Sequence, residues 1–296
     1  MLNPLLFTLA TNDMFVPWQH FTMGGRRYIK DRGYMLEKTL NKSTDSLMDK
    51  TISDYRLPEM RAEIPMLLLT PWIINDGRRL FISPQGVSYM TKPKTRFGKT
   101  ALGGIDGIEY NRFFAAQDAK NLRFLSALRM NATYPYILPI VHLPSEPIME
   151  VMDAGVTDNL GMATATRFAD VFKDWIRENT SGIIFVQMSE TSSQAAVAPS
   201  SMGIISRFFK PLSPGGIFLD MQLLVEDAQI NHLTQQLGAD KVQVIKIMYH
   251  PQRPKDRASL SFHLSEREYS DVKLSLGQPN NQAALRKVVE SLSKKD

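Results

Sequence analysis

The apolar residues of this chain fall into two patterns: short uninterrupted runs, and longer stretches in which they recur at helical spacing. Residues 65–74 form such a run, and the Asn75-Asp76-Gly77 turn signal after it predicts a hairpin with a return strand over residues 79–83. Further strands are predicted over residues 148–152, 183–188 and 242–248, and helices over residues 29–41, 106–130, 160–180, 218–237 and 280–294. The order strand, helix, strand between residues 148 and 188 is the unit of a parallel sheet. The pattern therefore predicts an α/β fold with a mostly parallel sheet flanked by helices.

A carboxylate directly follows one of these predicted strands. Asp153 comes after the run at residues 148–152, and Ala154 and Gly155 complete a turn in which glycine is free to adopt a positive φ. In open α/β sheets, catalytic and binding groups gather at the carboxyl ends of the strands. Asp153 is therefore the leading candidate for a catalytic residue, with Ala154 and Gly155 shaping the turn that presents it.

Polar residues on either side of this turn are predicted to support it. Asn159 is expected to cap the helix that begins at residue 160, with a secondary role in holding the Asp153 loop. Asn131 and Thr133, after the helix predicted over residues 106–130, are expected to hold the loop from the opposite side. The five histidines are scattered without the short spacing of metal ligands, so neither a metal site nor a cofactor is predicted.

These segments form an ordered series: Asn131-Ala132-Thr133-Tyr134-Pro135 after a helix, then Pro139, a short strand, Asp153-Ala154-Gly155 and Asn159. The series resembles the patatin-like phospholipase family, in which a Pro-containing segment after a helix precedes a strand and an Asp-Gly-Gly or Asp-Gly-Ala motif. Ala154 replaces the family's second motif residue, and the resemblance extends from about Arg32 to the C-terminus. It implies a three-layer α/β architecture and a serine acyl hydrolase acting on lipid or other acyl esters with a Ser-Asp dyad. Asp153 would be the base of that dyad.

The nucleophile of that family has no counterpart in this sequence. No G-x-S-x-G elbow occurs, and the nearest string, Gly86-Val87-Ser88-Tyr89-Met90, places bulky residues where the tight turn needs small ones. Gly24-Gly25 and Gly103-Gly104 are only pairs and do not form a Gly-rich oxyanion loop. The resemblance therefore implies that residues 1–296 are the C-terminal portion of a single patatin-like domain, N-terminally incomplete, whose Ser lies upstream on the remainder of the same domain. The chain alone is predicted to be inactive, and a noncatalytic lipid-binding or protein-interaction relative stays open as the alternative hypothesis.

The amino-acid composition limits the classes of binding partner that the chain is expected to have. The chain contains no Cys, which excludes disulfides and a Cys nucleophile. Its net charge of +5 is typical of a solvated surface with excess Lys, and the alternative interpretation is peripheral contact with anionic lipid headgroups at a membrane surface. Binding of nucleic acid is disfavoured because no predicted helix carries a dense basic stripe interleaved with aromatics.

The N-terminal residues lack a signal-peptide pattern and an unbroken apolar span, so a cytoplasmic or peripherally membrane-associated protein is predicted. Residues 190–216, rich in Ser, Ala, Pro and Gly, are predicted to form a flexible lid or linker, and the basic loop around Lys92 and Lys94 is a candidate headgroup contact.

Overall fold

A computed structural model describes residues 19–23, 25–91, 106–133, 140–189, 216–253, 258 and 264–293 of the chain. The chain divides into two compact units, which comprise Met1–Thr157 and Asp158–Asp296. Within the described ranges, no helix has both the length and the apolar character that crossing a membrane requires.

The first unit is built from short strands and short helices. Its strands are β1 (Gln19–Met23), β2 (Arg26–Lys30), β3 (Trp72–Ile73), β4 (Arg79–Phe81), β5 (Gly107–Glu109), β6 (Val141–His142) and β7 (Glu150–Met152). Its helices are α1 (Arg32–Ser43), α2 (Arg56–Met60), α3 (Tyr110–Phe113) and α4 (Phe124–Asn131), with 3₁₀ turns at Ile52–Tyr55, Ser88–Met90, Ala115–Gln117 and Ala119–Asn121. The helical turn α5 (Gly155–Asp158) lies where the chain passes from the first unit to the second.

The main sheet of the first unit has five strands in the order β5-β4-β3-β7-β6. β4 and β5 are parallel, whereas β3 pairs antiparallel with both β4 and β7, and β6 pairs antiparallel with β7. The predicted hairpin is confirmed: β3 turns into β4 through Gly77, whose φ of +78° is a conformation that favours glycine. The sheet is therefore mixed, and the expected mostly parallel arrangement does not describe it.

A continuous hydrophobic core stabilises this sheet and its helices. Its fully buried members come from neighbouring strands and from the chain between β5 and α4, and they include Ile73, Leu80, Tyr110, Phe114, Leu122 and Val151. The segment over residues 106–130, predicted as one helix, is interrupted by β5, by α3 and by two 3₁₀ turns. The interruption begins at Gly107, where an added Cβ would overlap the ring of Phe81 on the neighbouring strand β4. Pairing with β4 thus overrides the local helical periodicity.

A buried ion-pair network joins α1 to α4. Glu37 on α1 pairs with Arg123 and lies 3.7 Å from Arg129, and the side chains of all three are at most 6% exposed. Arg129 also pairs with Asp31, whose carboxylate caps α1 by accepting the backbone N–H of Tyr34. Burial raises the pKa of Glu37, and the two guanidinium groups oppose that shift. The network holds α4, and therefore the segment that follows it, against α1.

The second unit combines longer helices with a pair of parallel strands. Its elements are α6 (Met162–Val171), α7 (Lys173–Asn179), β8 (Ile183–Ser189), α8 (Gly216–Leu237), β9 (Val242–Met248), α9 (Glu266–Leu276) and α10 (Pro279–Ser293). β8 and β9 pair in parallel over all seven residues of each strand. Phe185 of β8 belongs to a buried hydrophobic cluster that also contains Leu233 and Leu237 of α8 and Met162 of α6.

The remaining predicted strands and helices are confirmed where they are single elements and differ where the prediction joined separate segments. The strand over residues 183–188, the strand over residues 242–248 and the helices over residues 218–237 and 280–294 are confirmed to within two residues. The helix over residues 160–180 is divided into α6 and α7. β7 and β8 lie in different sheets, so the strand, helix, strand segment between them does not form the single parallel unit that its order predicted. The predicted lid over residues 190–216 lies outside the described residues except at Gly216, where α8 begins, and the loop with Lys92 and Lys94 also lies outside them.

Candidate functional site

Asp153 directly follows β7, which is an interior strand of the five-stranded sheet. β7 pairs with β3 on one side, where Trp72 is opposite Met152, and with β6 on the other, where Val141 is opposite Val151. A strand with neighbours on both sides has its end fixed by two ladders of hydrogen bonds. The predicted position of the carboxylate at the carboxyl end of a strand is thus confirmed.

The segment after α4 anchors the backbone of this turn. The N–H of Asp153 donates to the carbonyl of Thr133 at 3.1 Å, and the N–H of Ala154 donates to the carbonyl of Asn131 at 3.3 Å. Asn131 is itself fixed, because its Oδ1 accepts the N–H of Thr70 at 2.7 Å. The hydroxyl of Thr133 donates to the carbonyl of Arg129 at 2.7 Å. The structure therefore brings Asn131 and Thr133 beside the Asp153 loop, as the sequence predicted.

The two carboxylate oxygens of Asp153 have different surroundings. Oδ1 accepts the backbone N–H of Gly155 at 2.5 Å, whereas Oδ2 accepts no hydrogen bond from the part of the chain that the structure describes. The side chain is half-buried, and burial raises the pKa of Asp153, with the Gly155 hydrogen bond opposing the rise. One oxygen is therefore held in place while the other is free to accept a proton from an incoming group, and its affinity for that proton is above that of an ordinary aspartate.

The prediction that Asn159 caps the following helix needs a correction, because Gly161 is the N-cap residue and the side chain that accepts first-turn N–H groups is that of Asp158. α6 begins after Gly161, and the carboxylate that accepts its first N–H groups belongs to Asp158: Oδ1 accepts from Ala163 at 3.0 Å and Oδ2 from Thr164 at 2.8 Å. Asn159 is exposed, whereas Asp158 is 4% exposed. A carboxylate interacts more strongly than an amide with the positive end of a helix, which accounts for Asp158 taking the buried place.

Glu226 on α8 is a buried carboxyl that the sequence analysis did not single out. It is 4% exposed, its Oε1 has no hydrogen-bond partner among the residues that the structure describes, and the N–H of Leu160 donates to its carboxylate. Burial, together with the negative charges of Asp158 and Asp227, raises the pKa of Glu226 to about 7. A signal was present, because Glu226 falls on the stripe that continues through residues 230, 233 and 237 at helical spacing and faces the core.

Two serines are candidates for the nucleophile, Ser88 from the string closest to the family motif and the buried Ser126, and neither lies in a nucleophile elbow. Ser88 starts a 3₁₀ turn after Val87, so the string Gly86 to Met90 forms no strand-to-helix turn. Ser126 lies inside α4, buried, with its hydroxyl 3.4 Å from Glu37. Tyr134, Pro135 and Pro139, which contribute to the family resemblance, lie outside the described residues.

Chemically, the turn after β7 offers the Asp153 carboxylate, whose Oδ2 accepts no hydrogen bond from the described residues. Among the described residues, no three His, Asp or Glu side chains come together in a way that could hold a metal ion. A lone carboxylate of this kind is suited to accept a proton from a hydroxyl within hydrogen-bond reach. Comparison with protein-family models, with curated proteins and with solved structures finds no match to this chain.

Proposed function

We propose that this chain is part of a patatin-like serine acyl hydrolase in which Asp153 is the base of a Ser-Asp dyad. The observation that supports the proposal best is the asymmetry of the Asp153 carboxylate: Oδ1 accepts the N–H of Gly155, whereas Oδ2 accepts no hydrogen bond within the described ranges. A dyad base needs one fixed oxygen and one free oxygen, because it must both keep its orientation and accept the proton. The order of the segments around Asn131 and Asp153 supports the same assignment through the family resemblance.

The proposed chemistry begins with proton transfer. A Ser hydroxyl placed within about 2.6–3.2 Å of Oδ2 gives its proton to Asp153 as its oxygen attacks the carbonyl carbon of an ester. The proton then passes to the departing alcohol, which leaves an acyl-enzyme. Water, deprotonated in turn by Asp153, attacks the acyl group and releases a carboxylic acid and the free Ser hydroxyl. The raised pKa of Asp153 suits a group that takes up and returns a proton in each half-reaction.

In this proposal, the nucleophile and the oxyanion donors belong to a polypeptide segment other than residues 1–296. No G-x-S-x-G string and no Gly-rich loop occur within residues 1–296. Because loss of even one oxyanion donor costs roughly 100–1,000-fold in rate, the 296-residue chain by itself is expected to be inactive. The proposal includes the patatin-like three-layer architecture for the whole domain, a lipid or other acyl ester as substrate, and a cytoplasmic or peripherally membrane-associated location.

The test uses both the native polypeptide and the 296-residue chain. An antibody raised against this chain captures the polypeptide from its source cells. The captured protein is treated with a fluorophosphonate probe for activated serines and assayed on p-nitrophenyl butyrate and on phosphatidylcholine vesicles. We expect a polypeptide longer than 296 residues that reacts with the probe and hydrolyses ester. Asp153→Asn should reduce hydrolysis by roughly 100-fold or more, the usual contribution of a general base.

Glu150→Gln is the matched control, because Glu150 is a carboxylate on β7, the strand that Asp153 follows, and its side chain is 41% exposed and lies 3.4 Å from His142. It should leave hydrolysis unchanged. A native polypeptide that neither reacts with the probe nor hydrolyses ester would overturn the proposal and favour the noncatalytic lipid-binding or interaction relative. Asp153-dependent hydrolysis by the 296-residue chain alone would contradict the assignment of the nucleophile to another segment.

A further inference from the structure

α2 presents an apolar face to solvent in the first unit. Leu57 is 57% exposed and Met60 is 61% exposed. Residues three apart lie on the same side of a helix, so these two side chains project together. Single exposed apolar residues are common on protein surfaces, and the charges around this pair are what distinguish it.

Two cationic residues line a cavity at the start of this helix. Arg56, the first residue of α2, and Lys120 line one cavity of about 220 Å³, whose walls include Ile52 and Pro84. Neither Arg56 nor Lys120 forms an ion pair with any residue in the described ranges. The lining of the cavity therefore combines two cationic residues with apolar ones, and Ser53, Gly86 and Asn111 complete it.

The acid of α2 is turned away from these cations. Oε1 of Glu59 accepts the backbone N–H of Leu67 at 2.8 Å, and Oε2 is buried. The Glu59 carboxylate thus accepts a backbone N–H of the segment that leads to β3, and it forms no ion pair with Arg56 in the described part of the chain. Arg61, directly after the helix, adds a further cation, and its ion pair with Glu63 is long at 3.7 Å and exposed. Such exposed pairs contribute little and leave the charge available to a partner.

We propose that this surface, formed by α2 and the cavity beside it, binds an anionic lipid bilayer. A lipid phosphate would lie between Arg56 and Lys120, while Leu57 and Met60 enter the boundary between headgroups and acyl chains. Binding of this kind draws on buried apolar area and on attraction to anionic lipid together. The proposal rests on the proposed function in taking lipid as the partner, but vesicle binding requires no hydrolysis, so either can fail without the other.

The test measures co-sedimentation of the 296-residue chain with vesicles of phosphatidylcholine alone and of phosphatidylcholine mixed with phosphatidylglycerol. The chain should prefer the vesicles that contain phosphatidylglycerol. The double variant Leu57→Asn with Met60→Asn should weaken that binding roughly tenfold, since both side chains lose their apolar contact with the membrane. The double variant Arg56→Gln with Lys120→Gln should also weaken it by roughly tenfold or more, and added salt should shrink this second difference.

α10 provides matched controls, because Val289 and Leu292 are exposed apolar residues and Arg286 and Lys287 are exposed cations. Changing Val289 and Leu292 to Asn there removes two exposed apolar side chains, and changing Arg286 and Lys287 to Gln removes the same number of positive charges. Circular dichroism verifies that each variant is folded. The proposal is overturned if the α10 variants lose as much binding as the α2 variants, or if the wild-type chain binds neither kind of vesicle. It is also overturned if the Arg56 and Lys120 changes abolish binding of inorganic phosphate yet leave vesicle binding intact.

Discussion

Replacing the buried carboxyl of Glu226 by an amide should make the second unit less sensitive to pH. Glu226 is 4% exposed and lies near two further acids, Asp158 and Asp227. The groups that favour its charged form are the N–H of Leu160 and the amine of Lys246 on β9, and they do not offset burial. The folded protein therefore prefers the protonated form of Glu226 up to neutral pH.

The size of the effect follows from the pKa of Glu226, which rises from 4.5 to about 7 on folding. Below pH 4.5, Glu226 is protonated in both the folded and the unfolded protein, so its titration does not change the free energy of unfolding. As the pH rises from 4.5 toward 7, the unfolded chain releases the proton while the folded chain keeps it, so the free energy of unfolding falls. Each pKa unit corresponds to about 1.4 kcal/mol, which makes the total loss about 3 kcal/mol once the pH exceeds the folded pKa.

Glu226→Gln removes this loss because an amide does not titrate. We expect the unfolding free energies of variant and wild type to agree at acidic pH and to separate as the pH rises. At alkaline pH the variant should be more stable by about 3 kcal/mol. The assay is urea unfolding across this pH range, followed by the fluorescence of Trp175 on α7 after Trp18 and Trp72 are changed to Phe.

Asp227→Asn is the matched control, because it removes a carboxylate from the adjacent, exposed position of the same helix. Its pH profile should stay close to that of the wild type, with a small change from the lost repulsion on Glu226. If wild type and Glu226→Gln show the same dependence of stability on pH, the carboxyl is already charged in the folded protein, and the argument from its burial is wrong.

Two further predictions concern buried carboxylates that hold helices in place. Glu37→Gln should lower the free energy of unfolding of the first unit by roughly 3 kcal/mol in urea, the low end for a broken buried pair, because Arg123 and Arg129 lose their shared carboxylate while Arg129 keeps Asp31. A loss below about 1 kcal/mol would contradict the network role of Glu37. Asp158→Ala should cost roughly 1–2 kcal/mol, because the first N–H groups of α6 lose their acceptor. Hydrogen exchange at the amides of Ala163 and Thr164 should accelerate in Asp158→Ala, and unchanged protection there would contradict the capping role.

Much of the candidate site was predictable because it depends on residues close together in the chain. A short apolar run followed by Asp153, Ala154 and Gly155 is a local signal for a strand and a turn. The supporting position of Asn131 was predicted from order along the chain, and the structure shows it as a backbone hydrogen bond to Ala154. The choice between Asp158 and Asn159 as the cap was not predictable, since both are good cap residues and only the path of the chain around Gly161 selects one.

By itself, the sequence determined the elements whose pattern is long and of a single period: β8, β9, α8 and α10, and the Gly77 hairpin turn with its positive φ. Strand partners were decided only by the tertiary structure, which places β7 antiparallel between β3 and β6 and breaks the predicted helix at Gly107. The burial of Glu37 and Glu226 likewise depends on which helices pack together, and their altered pKa values follow from that packing. Periodicity reports the environment of a residue along its own helix or strand. Partners, registers and desolvated charges depend on segments distant in the chain, whose contacts form only when the whole unit folds.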